Sequence, residues 1–500
     1  MSKVVLCENR DAIIYPDKST YYSPSISYPE YRWKSCVSDK NNLVYELVRE
    51  TLHMARLDEA NFGSSSWNPL GEYIQPGQTV LLKPNWVENK NPVIDDNLAC
   101  LVTNPSVVRP IIDYVLIALN GEGRVILADA PMQGCDLDEV FRIAGYNELF
   151  KFYETRNVKL EIADMRKYSV KAVYDGVFTE PVLTENTRGS FIVNLGFRSI
   201  HAEKDDVNPS YKVEDYPQAL TESYHSNGKH QYEVNVLPIC ADVIINLPKP
   251  KTHRLAGITA ACKNFVGITY EKACLPHRVD GDKETGAGDA YYKHSFIKSK
   301  MSYFNEKRTY SSRNGEYFRA KLNDILMKAC YVVGSITSGD KYRIGSWYGN
   351  DTIWRTAVDL NNILIHTDKN GDYIPSQKKT VLHFGDMIIG GQKDGPVKPI
   401  PKPLGIILFA DNAMLFDRVV CEIMGFSADA LPMYNHIGAL KVFGYKGRED
   451  LDSNRIISNI PNLNNCSIKD FPDIEQWHFE PHTSWKGHIE KLFFYQKDNS

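Results

Sequence analysis

The sequence predicts an α/β fold: a doubly wound, mainly parallel sheet with helices on both faces and large insertions. Three apolar runs carry that prediction: TVLLKPN (residues 79–85), RVILADAP (124–131) and DVIINLPKPKTH (242–253). None alternates with polar residues, as expected of strands buried on both faces. Each stops in ionisable or amide side chains, which is how open α/β sheets gather a ligand site at their strand ends. Helix-spaced stretches separate the runs, and that alternation implies parallel pairing.

Taken in order, Val4–Cys7 reads as a short strand, followed by a Tyr/Pro/Ser-rich arm from Tyr15 to Trp33. Leu43, Leu47, Leu52 and Met54 share a helical spacing within Asn42–Ala55. Asn61 to Gly77 is a polar loop punctuated by Gly and Pro, and Thr79–Asn85 follows as a strand. Pro105–Leu119 has Thr103 or Asn104 as cap, Pro105 at its first helical position, and Gly121 and Gly123 to stop it. Further strands are expected at Arg124–Pro131, Phe191–Leu195, Val243–Leu247 and Gly405–Ala410. The small residues Ala256, Gly257, Ala260 and Ala261 predict a close-packed helix capped by Thr252. Residues 196–240 and 276–350 break the pattern, the first as an insertion over the sheet and the second as a lid or subdomain. The expected division is an N-terminal arm and helix (1–75), a core domain (76–435) and a C-terminal extension (436–500).

A net charge of −4 excludes a strongly basic nucleic-acid binder. The basic and aromatic stretch from Lys293 to Arg319 reads as a solvated helix face with buried tyrosines. The ten cysteines are spread singly without a CxxC pair, which argues against a tetrathiolate zinc or iron–sulfur site. No apolar run is long enough to span a membrane, and the N-terminus lacks the apolar length of a signal peptide. The expectation is therefore a cytoplasmic protein. A homo-oligomer is compatible with the sequence.

Candidate site residues cluster at the strand ends. Lys83, Lys249, Lys251 and Lys263 are candidates to hold an anion, with Asn85, Asn264 and Asp411 orienting it. Asp129, His253 and His277 are candidates for proton transfer, because carboxylates and imidazoles titrate where catalysis needs them. His253 and His277 with Asp129 or Asp289 could instead hold a divalent metal as a two-histidine, one-carboxylate set. His225 and His230, flanking Gly228, are weaker metal candidates. Gly385, Gly390, Gly391 and Gly395 read as a flexible loop whose amides could cradle phosphate, with Gly391 as the ligand contact. Neither a GxxxxGK[ST] loop nor a dinucleotide fingerprint is present there. Asp411 is the better ligand candidate of the FADNAMLFDRVV segment, and Asp417 reads as a packing or capping contact.

The ordered blocks KPNWV, TNPSVVRPIIDYVL, GRVILADAP, ADVIINLPKPKTHRLAGITAACKNFVGI, LPH with GAGD, GDMIIGGQKDGP and FADNAMLFDRVVCEIMGF resemble the bacterial family known as domain of unknown function 362, over roughly residues 75–435. The N-terminal YPEY and WNPLGEYIQPGQ are similar to longer members found near polysaccharide biosynthesis genes. Some members append a ferredoxin module, which the scattered cysteines here do not match. The resemblance implies the fold and the site more than a reaction. The expected function is an enzyme binding a phosphorylated, nucleotide-linked or carboxylated sugar, in surface polysaccharide biosynthesis. Transferase and metal-assisted lyase or hydrolase chemistry are not separated by the sequence. The alternative is a non-catalytic accessory or assembly protein that binds a metal or cofactor. An oxidoreductase is disfavoured by the missing cofactor motifs.

Overall fold

The computed structural model describes residues 2–95, 97–173, 178–185 and 187–491. Its main sheet orders the strands Cys466–Ser467, Arg455–Ser458, Val4–Glu8, Lys398–Ala410, Thr380–Asp394, Val243–Asn246, Thr79–Lys83, Arg124–Asp129 and Leu160–Asp164. The last five of these pair in parallel, and Lys398–Ala410 runs antiparallel between Thr380–Asp394 and Val4–Glu8. Sequence-distant segments thus meet in one sheet, the N-terminal strand pairing with Arg455–Ser458.

The buried strands divide their side chains between two cores with the period of two that pleating dictates. Val80, Leu82, Val125, Leu127, Val243 and Ile245 face the helices Leu43–Met54, Pro105–Leu119, Leu137–Ala144 and Tyr146–Glu154. Leu81, Ile126, Ala128 and Ile244 face the opposite side, where Leu360, Ile363 and Leu364 of the helix Ile353–His366 cover them. Helices on both faces explain why these strands read as unbroken apolar runs. Asn104 caps Pro105–Leu119 by accepting the Ser106 N–H, and Pro105 opens the helix.

Three expectations about the strands and their connections change. Ser190–Asn194 leaves the main sheet and pairs antiparallel with Gln231–Asn235, because its partly exposed side chains cannot fill a doubly covered position. Lys251–His253 and Gly257–Thr259 form an antiparallel hairpin, not a helix; the helical part is Ala261–Asn264, continued as a 3-10 turn over Phe265–Ile268. The small residues there serve a tight turn: Gly257 has φ +75°, and a Cβ would stand 2.7 Å from Leu431. The glycine-rich 383–399 segment is no flexible loop. It is the long hairpin of Thr380–Asp394 with Lys398–Ala410. Gly385 and Gly390 make room for the Phe416 and Phe479 rings, and Gly391 for the Cys100 carbonyl and the Lys251 stem. Its packing in that strand leaves Gly391 without the expected phosphate-cradling role.

Residues 276–350 contain a pair of long helices, Phe296–Arg313 and Tyr317–Ser338. Tyr303 and Tyr310 are 52% and 58% exposed, so the expectation of buried tyrosines on this face does not hold. No helix among the described residues is long and apolar enough to cross a membrane.

Candidate functional site

Pairing register sets Lys83, Asn246 and His383 side by side at the same level of three adjacent parallel strands. Asp129 ends the next strand and closes the row. Lys83 Nζ donates to Asp129 Oδ1 at 2.7 Å and to Asn264 Oδ1 at 3.3 Å. Asn264 donates to Asn246 Oδ1 at 2.7 Å, and Asn246 Nδ2 stands 3.1 Å from His383 Nδ1. All five side chains are buried.

The row is sealed. Asp129 also accepts the N–H groups of Trp86 (2.7 Å) and Ala130 (2.9 Å), so both oxygens are engaged. The backbone of Gly267 lies directly over the pair, where a Cβ would stand 2.2 Å from Asp129 Oδ1. Burial pulls the Lys83 ammonium below its usual range, and Asp129 opposes that pull. This pair fixes two strand ends and is buried away from solvent.

Lys249 is also internal. It is paired to Asp386 at 3.0 Å with both side chains fully buried, and it donates to the Tyr15 hydroxyl. Tyr15 and the Asn104 N–H occupy the two Asp386 oxygens. Among the described residues Lys251 has no carboxylate partner. Its ammonium donates to the Leu101 carbonyl and, at 3.4 Å, to Asn85 Oδ1. Burial, reinforced by Lys249, pushes it down to about 7.

The accessible chemistry lies beyond the hairpin, in a narrow cleft of about 30 Å³. Lys263, Asp417 and Asn350 are its polar groups among apolar walls that include Trp354, Tyr434 and Trp485. Half-buried Lys263 makes no hydrogen bond or ion pair from its ammonium among the described residues. Burial, with Arg254 and Lys272 adding repulsion, pushes it down to about 8. Asp417 accepts the N–H groups of Ala261 (2.5 Å) and Cys262 (3.1 Å), and burial pushes its carboxyl up to about 7.

Two histidines stand within electrostatic reach of Lys263, in complementary tautomers. His253 Nδ1 accepts from the Leu255 and Ala256 N–H groups at 3.0 and 3.1 Å, so its proton sits on Nε2. His277 Nδ1 lies 2.7 Å from the Leu275 carbonyl and must donate, which leaves Nε2 as a bare acceptor. Burial pushes His277 down to about 4 and holds His253 well below its ordinary value, so both stay neutral at pH 7.

The expected site residues therefore separate into three places. Lys83, Asp129 and Asn264 form the sealed row. Lys249, Lys251 and Asn85 form an internal cluster beside it. Lys263 lines the cleft, and His253 and His277 lie within electrostatic reach of it without lining the cleft themselves. Asp411 joins none of these, because its carboxylate accepts the Lys3 N–H at 2.9 Å beside the N-terminal strand. Asp417, read as a capping or packing contact, does accept the first N–H groups of the helix Ala261–Asn264, and it also lines the cleft.

The expected metal set does not assemble. Asp129 is engaged as described, and Asp289 holds the N–H groups of Val279 and Asp351 and the Thr352 hydroxyl. Among the described residues no three or more His, Cys, Asp or Glu stand close enough to hold a metal ion as they are placed. Sequence reasoning missed Lys272, whose ammonium donates to the Ala130 carbonyl at 2.7 Å and is pushed down to about 8. Its TYEKAC context carries no strand-end signal. Trp485 lies more than 200 residues from Lys263 in sequence, and nothing local marks it.

Fold and site define an α/β protein with a sealed polar row at its strand ends and a small apolar cleft bearing a lysine that has no ion-pair partner among the described residues. The chain belongs to the family described as Domain of unknown function (DUF362), whose model matches residues 80–195 and 170–422. No curated protein matches it. Among solved structures it is similar to a protein from Thermotoga maritima, with 11% identity, TM-score 0.29, and coverage of 72% of this chain and 54% of that one. It is also similar to the lactate racemase apoprotein from Thermoanaerobacterium thermosaccharolyticum, with 12% identity, TM-score 0.30, and coverage of 76% and 55%. The chain thus spans about half the length of both.

Proposed function

We propose that the cleft beside Lys263 binds the anionic group of a small metabolite, of the carboxylated or phosphorylated sugar class. The observation that carries this reading is Lys263, a residue of the apolar cleft whose ammonium has no carboxylate partner among the described residues. A cation held in such surroundings is costly unless a counter-charge joins it. The free volume of about 30 Å³ holds about two waters, or one group of carboxylate size. The anionic end would enter, with the rest of the ligand outside. That size favours a carboxylate over a bulky nucleotide diphosphate.

For catalysis, the reading assigns roles by proton position. Lys263 neutralises the anion, His253 Nε2–H donates, and the bare His277 Nε2 accepts a proton. Asp129 has no part in it, since its oxygens are spent. That same engagement favours the second reading, a non-catalytic binding protein, because the strand ends then offer no accessible carboxylate base.

Calorimetric titration with glucuronate and glucose 1-phosphate tests the proposal. Wild type is expected to bind glucuronate, and Lys263→Gln to lose at least tenfold in affinity. Equal affinity in Lys263→Gln overturns it. Chemical change of the bound sugar separates enzyme from binding protein.

A further inference from the structure

Three histidines meet in the interior: His201, His225 and His230 are 0%, 3% and 1% exposed. Their ring centres lie 6.3, 6.0 and 5.7 Å apart. The hydrogen bonds of each ring fix its tautomer. His225 Nε2 lies 2.8 Å from the Cys274 carbonyl, which can only accept. His230 Nε2 lies 3.0 Å from the Asp205 carboxylate, which also accepts. His201 Nε2 lies 3.1 Å from the Thr356 hydroxyl, whose one proton already goes to the Pro276 carbonyl at 2.7 Å. All three protons therefore sit on Nε2, and all three Nδ1 atoms carry bare lone pairs.

Those lone pairs are not otherwise used. His225 Nδ1 faces His230 Nδ1 at 3.4 Å, two acceptors opposed in the interior. His201 Nδ1 and the Tyr211 hydroxyl are buried without a hydrogen-bond partner among the described residues. The Tyr211 ring packs on both His201 and His225, at 5.1 and 5.8 Å. Opposed acceptors and orphaned polar atoms in the interior are unfavourable unless something positive lies between them.

We propose that His225 and His230, with His201 as third ligand, bind a divalent transition metal through Nδ1, zinc being the ion the spacing fits. Two nitrogens about 2.0–2.1 Å from a tetrahedral zinc stand roughly 3.3–3.4 Å apart, which is the separation found here. Three imidazoles on one such ion have ring centres about 5–5.5 Å apart by the same geometry. As placed, the three do not form a group that could hold a metal, so His201 would have to close in by about an ångström to complete the set. The acceptors behind each ring, Cys274, Asp205 and Thr356, are the outer partners that orient metal-bound imidazoles. Neutral imidazoles suit zinc and its neighbours and not hard cations such as magnesium. Tyr211 or a water would take the fourth position.

The metal would also brace the cleft. The turn Cys274–His277 supplies the Cys274 carbonyl to His225, the Leu275 carbonyl to His277 and the Pro276 carbonyl to Thr356. One short turn thus joins the histidine trio to the bare Nε2 of His277.

The test is metal uptake by the full chain after dialysis against a chelator. Added Zn(II) is expected to bind at one equivalent per chain, and Co(II) to give the visible bands of a tetrahedral site. His225→Gln and His230→Gln are each expected to weaken uptake at least 100-fold, while His366→Gln leaves it intact. Where a Gln variant fails to fold, the thermal midpoint of wild type decides: zinc is expected to raise it and chelator to reverse the rise. Wild type that takes up no zinc at micromolar concentration overturns the proposal. So do folded His225→Gln and His230→Gln variants that bind as tightly as wild type.

Discussion

Lys83 Nζ stands 2.7 Å from Asp129 Oδ1 at the ends of two adjacent parallel strands, with the two side chains 0% and 4% exposed. Solvent does not screen the pair, and each charge relies on the other. Removing one partner strands a buried ion, which typically costs about 3–5 kcal/mol. Lys83→Met is therefore expected to lose stability on that scale in urea unfolding. Lys83→Met with Asp129→Leu is expected to lose less than the sum of the two single changes, since no unpaired charge remains. A loss below about 1 kcal/mol in Lys83→Met would show that the pair does not hold these strand ends.

Gly267 tests the seal over the same pair. Its backbone is not in the left-handed region, so an added methyl meets only the space problem: 2.2 Å from Asp129 Oδ1 and 2.7 Å from Lys83 Nζ. Neither neighbour can yield, because each is fixed by further hydrogen bonds. Gly267→Ala is expected to cost at least about 1–3 kcal/mol, the usual penalty of overpacking. A neutral Gly267→Ala variant in the same unfolding assay would mean that the loop lies further from the pair.

These two positions mark how far the sequence could be read. The strand runs ending in Lys83, Asp129 and Asn246 were legible because burial on both faces leaves a continuous apolar pattern. What those ends do was not legible. A lysine and an aspartate at strand ends look alike in sequence whether they face a ligand or each other, and the register that joins them is a tertiary fact. The hairpin at Lys251–Thr259 was misread as a helix because small residues suit close packing in either form. The glycines of 383–399 were misread as loop because the rings of Phe416 and Phe479, which need that space, come from distant segments. His225 and His230 were noticed five residues apart, but the third histidine lies 24 residues upstream in another element.

Lys251 should leave a signature in the pH dependence of stability. Its folded value is pushed down to about 7 from an ordinary value of 10.5, with burial the main cause and Lys249 next. Between those pH values the unfolded chain holds a proton that the native protein has released. Stability from this group therefore rises as pH climbs through the window, and it is lowest below about pH 7. Lys251→Met removes the titration and is expected to flatten that rise, with its largest gain over wild type at the acid end. Urea midpoints between pH 6.5 and 9.5 check it, and parallel profiles for both proteins would refute it.

Lys263 gives the corresponding prediction for binding. An anion needs the ammonium form, and this group loses its proton near pH 8, well before an ordinary lysine. His277 titrates only near 4, but Asp417 in the same cleft is pushed up to about 7, so affinity for glucuronate is expected to be highest near pH 5 to 6 and to begin falling as Asp417 gains its charge around pH 7. Above pH 8 it should fall by up to tenfold per pH unit. The bound carboxylate itself favours the ammonium, so the fall in the complex begins at higher pH than the free group would indicate. Lys263→Arg keeps its charge throughout and should carry binding past pH 9.5 without the fall above pH 8, although the larger head in a cleft of about 30 Å³ weakens affinity overall. Calorimetry across that range separates the two curves. A wild-type affinity unchanged between pH 7 and 9.5 would remove Lys263 from the binding site and leave the sealed strand-end row without an accessible cation beside it.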